Sequence, residues 1–373
     1  MRVFRVFIIV LALASCAPPN AGVYMDEGFD FKQAGTSGTS GRDGFSFPTE
    51  TPVEGLPQGY TLSMLTGLPI LEEEVSSRPY AVVINNMYRA LPQAGIADAE
   101  IIYEVLAEGE ITRLVCVFQN AFSEREKIGP VRSARDYFLD FAHNHDAIFV
   151  HHGGSPSGYQ RLRSLRSERL DGMELEGSAF WRDRAYPDWE GLSGQVRPLE
   201  HSSYTSGTKA AAAAEAKGFR TDWNEGYGFE FYEENEVPTH LATGTAELIT
   251  VPFSRNYTRT FEYDGEEGQY RAYNRDGAHT DEEGAEVLVR NVIIQKVKTH
   301  VIAGDSEGRR AVETVGEGSG LHAFDGVYRL ITWKKDDQYA PTRYFYLDGT
   351  EVRLCAGKTW VCVFQEYGEY AVE

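Results

Sequence analysis

The sequence predicts an α+β protein: a mixed α/β N-terminal domain followed by an antiparallel β-rich C-terminal domain, built as a sandwich or barrel. Three observations predict it. Hydrophobic residues make up 42% and charged residues 25% of 373 residues, the balance of a globular chain with room for two domains. Apolar residues at helical spacing occur between positions 133 and 217, interleaved with short strands of the buried type. From about 240 onward, β-branched and aromatic runs alternate with Gly- and Asp-containing turns, with no helical pattern of useful length between them.

The first element is a leader at 1–15. Arg2 and Arg5 give it a positive start, Phe7–Leu13 an apolar run, and Leu13-Ala14-Ser15 a small-residue end directly before Cys16. The run is too short for a lasting bilayer span, and the pattern is that of a secretory signal peptide. Cysteine at this place reads as a bacterial lipobox, which implies cleavage before Cys16 and diacylglycerol on its thiol. The expected protein is a lipoprotein anchored to the cell membrane, on its extracytoplasmic face. Residues 16–55 follow as a Gly/Ser/Thr/Pro-rich tether, with Gly35-Thr36-Ser37-Gly38-Thr39-Ser40-Gly41 at its centre. Such a composition buries too little to order itself. Its length gives a reach of about 35 Å, enough to hold a folded body clear of lipid headgroups.

The mixed α/β domain is placed at 56–235. Tyr80–Ile84, Ile101–Leu106 and Leu114–Phe118 read as strands, the last two joined by an acidic, Gly-containing turn. Ser133–Asn144 carries Ala134, Phe138, Phe141 and Ala142 at helical spacing. Ala147–Val150 is a short buried strand, Tyr159, Leu162 and Leu165 fit a helix, and Thr205–Lys217 is a helix stopped by Gly218. The β-rich domain is placed at 240–373. Its strands are Leu248–Phe253, Thr260–Tyr263, Tyr270–Tyr273, Val287–Ile302, Val327–Trp333, Arg343–Leu347 and Trp360–Phe364.

The formal net charge is −20, and loss of Arg2 and Arg5 with the leader takes it to about −22. That charge repels nucleic acid and leaves the acyl chains as the membrane anchor. Among the cysteines, Cys116 sits in an apolar strand as a small hydrophobe. Cys355 and Cys362 flank what reads as a hairpin and are a disulfide candidate in an oxidising exterior.

Several strings together resemble the YerB-like family of bacterial lipoproteins, built from two domains of unknown function. They are Leu65-Thr66-Gly67-Leu68-Pro69, Tyr103-Glu104-Val105 leading to Gly109-Glu110-Ile111-Thr112-Arg113, and Ile128-Gly129-Pro130-Val131-Arg132-Ser133-Ala134-Arg135-Asp136-Tyr137-Phe138. His151-His152-Gly153-Gly154-Ser155-Pro156, Phe180-Trp181-Arg182-Asp183 and Tyr204-Thr205-Ser206 continue them. In the second half His279-x-Asp281, Asn291–Gln295 and Gly357-Lys358-Thr359-Trp360 match. The resemblance covers nearly the whole mature chain and implies a membrane-attached two-domain lipoprotein. It implies no reaction. The chain departs from its relatives at Ala90-Leu91, where a basic or polar residue usually precedes the Pro-Gln pair, and Cys355 and Cys362 look like local variations.

The densest polar cluster lies in 132–197, with nine arginines, no lysine and ten carboxylates. Arginine in place of lysine suits planar recognition of carboxylate or phosphate. Arg132 and Arg135 are three apart, on one face near a helix start. They either pair structurally with Asp136, Asp140 or Asp183, or hold a ligand anion. The strand running into His151-His152-Gly153-Gly154-Ser155 and a helix is the most site-like local arrangement, since glycines admit close backbone approach and a helix start presents N–H groups. It reads as a ligand loop or as a tight turn with satisfied histidines. No Gly-x-Ser-x-Gly elbow occurs, which excludes an α/β-hydrolase.

Metal sites are not expected, because no histidine or cysteine pair has ligand spacing. Ser206-Gly207-Thr208-Lys209 has the wrong order for a phosphate loop, and Gly316-x-Gly318-x-Gly320 lies outside any βαβ unit. No cofactor is implied. The sequence therefore points to an envelope binding or assembly protein recognising an anionic cell-wall ligand or a partner protein. Its candidate site is Arg132, Arg135, Asp136, His151, His152, Gly153, Gly154, Arg182 and Asp183. The competing reading is an envelope hydrolase, with His151 or His152 as general base and Asp183 or Asp136 orienting it.

Overall fold

Residue patterning that buries both faces of a sheet shapes this protein. The computed structural model describes residues 56–187, 194–233, 236–274 and 277–373. The leader, Cys16 and the tether lie outside the described residues. The strands used below are β1 (Tyr80–Asn85), β2 (Ile101–Leu106), β3 (Thr112–Phe118), β4 (Ile148–His151), β5 (Arg169–Asp171), β6 (Gly244–Thr245), β7 (Leu248–Pro252), β8 (Thr258–Asp264), β9 (Gln269–Asn274), β10 (Asn291–Val297), β11 (Gly316–Phe324), β12 (Val327–Lys335), β13 (Arg343–Tyr346) and β14 (Thr359–Gln365). The helices are α1 (Phe138–His143), α2 (Pro156–Ser164) and α3 (Gly207–Ala216).

An 11-stranded sheet runs in the order β6-β12-β11-β10-β14-β2-β3-β1-β4-β5, with β13 on the outer edge of β12. Strands from both halves of the chain share it. The join is β14, which lies parallel to β10 on one side and to β2 on the other. A six-stranded sheet built around β7, β8 and β9 forms a second layer.

Alternation along each strand decides which layer a side chain meets. Val82, Ile84, Ile102, Leu114, Trp360 and Phe364 point into one core, shared with Ile249, Val251, Phe261 and Ala272 of the small sheet. Val83, Tyr103, Val115, Val117 and Val361 point into the other, shared with Phe138, Phe141 and Leu162 of α1 and α2. Strands buried on both sides read as unbroken apolar runs, which is why Leu114–Phe118 shows no polar alternation.

The structure is α+β with a mixed N-terminal region and a β-rich C-terminal one, as the sequence predicts. Several local readings differ. The helix expected over 133–144 is α-helical only at Phe138–His143. Residues 131–134 are instead drawn into the sheet edge, where Arg132 N donates to Val83 O at 2.8 Å and Ala134 N to Gly153 O at 2.9 Å. Arg132 and Arg135 are thus not neighbours on a helix face. The single strand expected at 287–302 breaks into pieces serving different sheets. β11 was hidden by its glycines, which packing requires: a Cβ at Gly320 would stand 2.3 Å from Ile294 O.

The hairpin between Cys355 and Cys362 does not form, because β14 is inserted between two parallel partners and does not fold back on the preceding segment. Cys116, Cys355 and Cys362 are free, buried thiols.

Candidate functional site

Parallel strands β1, β4 and β5 bring their carboxyl ends, Asn85, His151 and Asp171, to one edge of the sheet. Strand β2 delivers Glu108 to the same edge, and β3 begins there with Thr112 and Arg113. The crevice outside the carboxyl ends of such strands is where open α/β sheets hold ligands.

Glu108 anchors the charge at this edge. One of its oxygens pairs with Arg113 Nη2, and the other accepts from Arg135 Nε at 2.9 Å and Nη2 at 2.6 Å. Against the upward pull of burial, the Arg113 and Arg135 guanidinium groups hold the Glu108 carboxyl below its ordinary range. Arg113 also donates to Ser133 O at 2.9 Å, and Arg135 to Ala134 O at 2.7 Å.

Arg132 shares this neighbourhood and is treated differently. Its Nε is buried with no hydrogen-bond partner, and no carboxylate closes an ion pair on its guanidinium among the described residues. Burial lowers its affinity for the proton, with Glu108 and Glu200 pulling the other way. Its charge is felt at His201, whose pKa burial and Arg132 together depress to about 4. Three guanidinium groups thus surround one carboxylate, a local positive excess in an acidic protein.

His152 lies beside this cluster, held on both ring nitrogens. Arg182 Nη2 lies 2.7 Å from His152 Nε2, and Ser203 Oγ lies 2.7 Å from Nδ1. Arginine can only donate, so Nε2 accepts and Nδ1 carries the proton, donated to Ser203. In that tautomer His152 cannot take a proton from the Ser203 hydroxyl. The ring fits because residue 172 is glycine: a Cβ there would sit 2.2 Å from His152 Nδ1. Arg182 is itself occupied, by Glu176 at 2.9 Å and Leu199 O at 2.9 Å.

His151 is fully buried and donates from Nδ1 to Gly153 O at 2.7 Å, while its Nε2 has no partner among the described residues. Its closest carboxylate is Asp171 at 3.8 Å, not Asp183 or Asp136. Asp171 accepts from Gly153 N at 2.9 Å and Tyr159 Oη at 2.8 Å, and so shapes the 151–154 turn. Gly154 bridges to Ala134, closing the loop onto the Arg132 segment. Asp136 accepts from Ser157 Oγ at 3.4 Å. Asp183 faces away, on Lys127 at 2.8 Å. The structure therefore gathers Arg132, Arg135, His151, His152, Gly153, Gly154 and Arg182 around one edge and sets Asp183 on a separate ion pair. Among the described residues no group of three or more His, Cys, Asp and Glu side chains is placed to hold a metal ion.

A second polar centre lies between the two sheets, and no local spacing announces it. Glu104 of β2 pairs with Arg259 Nε of β8 at 2.8 Å. Arg259 Nη1 donates to His279 Nδ1 at 2.9 Å, so His279 Nε2 carries the proton and gives it to Gln93 Oε1 at 2.8 Å. Gln93 Nε2 donates to Asn86 Oδ1 at 3.1 Å, and Asn86 Nδ2 donates to Glu104 at 3.1 Å and Thr112 at 2.7 Å. Arg259 also stacks over Trp360 at 4.5 Å. Glu104, Thr112, His279 and Trp360 all come from the strings that carry the family resemblance.

Comparison with known proteins agrees with that resemblance. Residues 65–220 match the family described as "Protein of unknown function (DUF3048) N-terminal domain", and residues 249–361 match "Protein of unknown function (DUF3048) C-terminal domain". YerB of Bacillus subtilis (strain 168), named as a candidate lipoprotein, is 33% identical over 303 residues, which is 80% of this chain and 84% of the relative. The crystal structure of the YerB protein from Bacillus subtilis superposes with a TM-score of 0.69 at 32% identity, covering 81% of this chain and 96% of that one.

Proposed function

Because the chain belongs to the YerB-like family, with its two domains of unknown function, we propose that it is an envelope binding protein, anchored through acylated Cys16 and exposed on the extracytoplasmic side. Its ligand is an anionic group, carboxylate or phosphate, of a cell-wall polymer or a partner protein. The observation that carries this reading is Arg132: a half-buried guanidinium at the carboxyl edge of the parallel strands, without a side-chain hydrogen bond among the described residues, where its neighbours Arg113, Arg135 and Arg182 are all engaged. A desolvated cation of this kind is stabilised by an incoming anion that it can grip through two N–H groups. Hydrolysis is the weaker reading, since His152 meets the hydroxyl of Ser203 with its proton-bearing nitrogen and His151 is enclosed.

The test is a thermal-shift titration of the full chain in detergent with inorganic polyphosphate and with carboxylate-bearing stem peptides. A saturable shift weakened about 10- to 100-fold by Arg132→Ala, with normal unligated stability, is the expected result. An Arg132→Ala protein that is several degrees less stable yet responds to the anions unchanged would remove this site.

A further inference from the structure

Beside the Glu104–Arg259 pair, the space between the two sheets opens into a cavity of about 460 Å³. Its size falls within the range of small-ligand sites, and Arg132 does not line it.

The chemistry of its wall is uncharged in effect. Among the described residues the charged groups that reach it are Glu104 and Arg259, and these cancel one another at 2.8 Å. Glu104 is further satisfied by Asn86 and by Thr112 at 2.8 Å, and Arg259 by His279 and Tyr273 O at 3.1 Å. Neither of these two groups has charge left over to attract an ion. An ionic ligand entering here would lose its hydration with no counter-charge to replace it.

The remaining wall is made of carboxamides, a hydroxyl and phenol rings: Asn256, Asn274, Thr258, Tyr88 and Tyr257, with Leu91 as an apolar floor. Each carboxamide offers two donors and an acceptor on one planar group. That matches vicinal hydroxyls, each of which donates and accepts. Phenol rings supply flat apolar area with a polar tip, suited to the C–H face of a sugar ring.

We infer that this inter-sheet cavity binds a short uncharged glycan, its hydroxyls bridged between the Asn86 side of β1 and the 256–258 segment that leads into β8. Both halves of the chain contribute to the wall, so occupancy ties the small sheet to the large one. The inference is independent of the anion site: Arg132 takes no part in it.

Isothermal titration of the full chain in detergent tests it, using cellobiose, maltose and N-acetylchitobiose, with a uronic-acid disaccharide and a blocked neutral dipeptide as contrasts. The expected result is saturable binding of at least one neutral disaccharide, undisturbed by Arg132→Ala and weakened at least about fivefold by Asn256→Ala. Asn256 is exposed on a loop, so Asn256→Trp can block the cavity mouth without disturbing a core, and it should abolish the signal. If that variant fails to fold, the Asn256→Ala titration still decides. No saturable response to any neutral disaccharide at tens of millimolar overturns the inference. So does tighter binding of the uronic-acid sugar or the dipeptide, or binding that survives both Asn256 substitutions.

Discussion

Glu104 and Arg259 stand 155 residues apart in sequence and meet at 2.8 Å between the two sheets, each side chain 2% exposed. A buried pair of this kind adds little over a well-packed apolar one, but removing a single partner strands a charge in the interior. Glu104→Gln keeps the shape and leaves Arg259 uncompensated; Arg259→Met leaves Glu104. Each is expected to cost about 3–5 kcal/mol in urea unfolding, and the double variant less than the sum. Additive losses would mean the two charges do not sense each other.

Gly172 explains how His152 keeps its place. An added Cβ at 2.2 Å from Nδ1 forces the ring to move and disturbs its bonds to both Ser203 and Arg182. Gly172→Ala should lose about 1–3 kcal/mol by overpacking. A midpoint equal to that of the parent protein would show the ring is free to shift.

The strands were legible and the site largely was not, for separable physical reasons. Tyr80–Ile84 and Leu114–Phe118 are buried on both faces, so composition alone declares them. The 133–144 pattern misled at its start because backbone bonds from Arg132 and Ala134 to the sheet edge outweigh helical spacing. The sequence offers Arg135 as a ligand candidate, but its partner Glu108 lies in a turn 27 residues away, and no helix face joins them. His279 looked like a turn residue until Gln93, 186 residues earlier, closed on its ring.

The thiols give a direct check on the missing hairpin. Cys116, Cys355 and Cys362 are buried, and burial pushes each thiol upward, that of Cys355 to about 12 with Asp325 adding to it. A thiol reagent should label none of the three in the native protein and all three after unfolding in denaturant, with or without prior reduction. Labelling of only one after unfolding without reductant would restore the disulfide.

Stability should respond to pH from two directions. Glu100 is buried, and desolvation raises its pKa to about 7 although Gln119 N and Asn120 N donate to it. Its folded pKa lies above the unfolded value, so its contribution is present below about pH 4.5 and is lost as pH rises toward 7, about 3 kcal/mol in all. His145 and His322, depressed by burial to about 3, act oppositely: their contribution is present above 6.5 and is lost on acidification. Glu100→Gln should abolish the fall between pH 5 and 7 in urea midpoints and leave the acid limb unchanged. A midpoint curve identical to that of the parent would mean Glu100 is ionised when folded.

Arg132 and Arg135 separate a ligand-facing arginine from a structural one. Arg135 neutralises Glu108 jointly with Arg113 and fastens the 133–134 backbone, so Arg135→Ala leaves a half-buried carboxylate short of one partner and Ala134 O short of a donor. It should cost about 2–4 kcal/mol in thermal or urea unfolding. Arg132→Ala breaks no side-chain hydrogen bond among the described residues and removes a partly desolvated cation from a neighbourhood already rich in them, so stability should hold or rise slightly. High salt should favour the parent protein at this edge, because counterions screen the mutual repulsion of Arg113, Arg132 and Arg135. The two variants thus move stability in different directions from positions three residues apart. Equal losses from both would mean that Arg132 is one more strut of the Glu108 cluster, and the edge would then have no guanidinium left to offer a ligand.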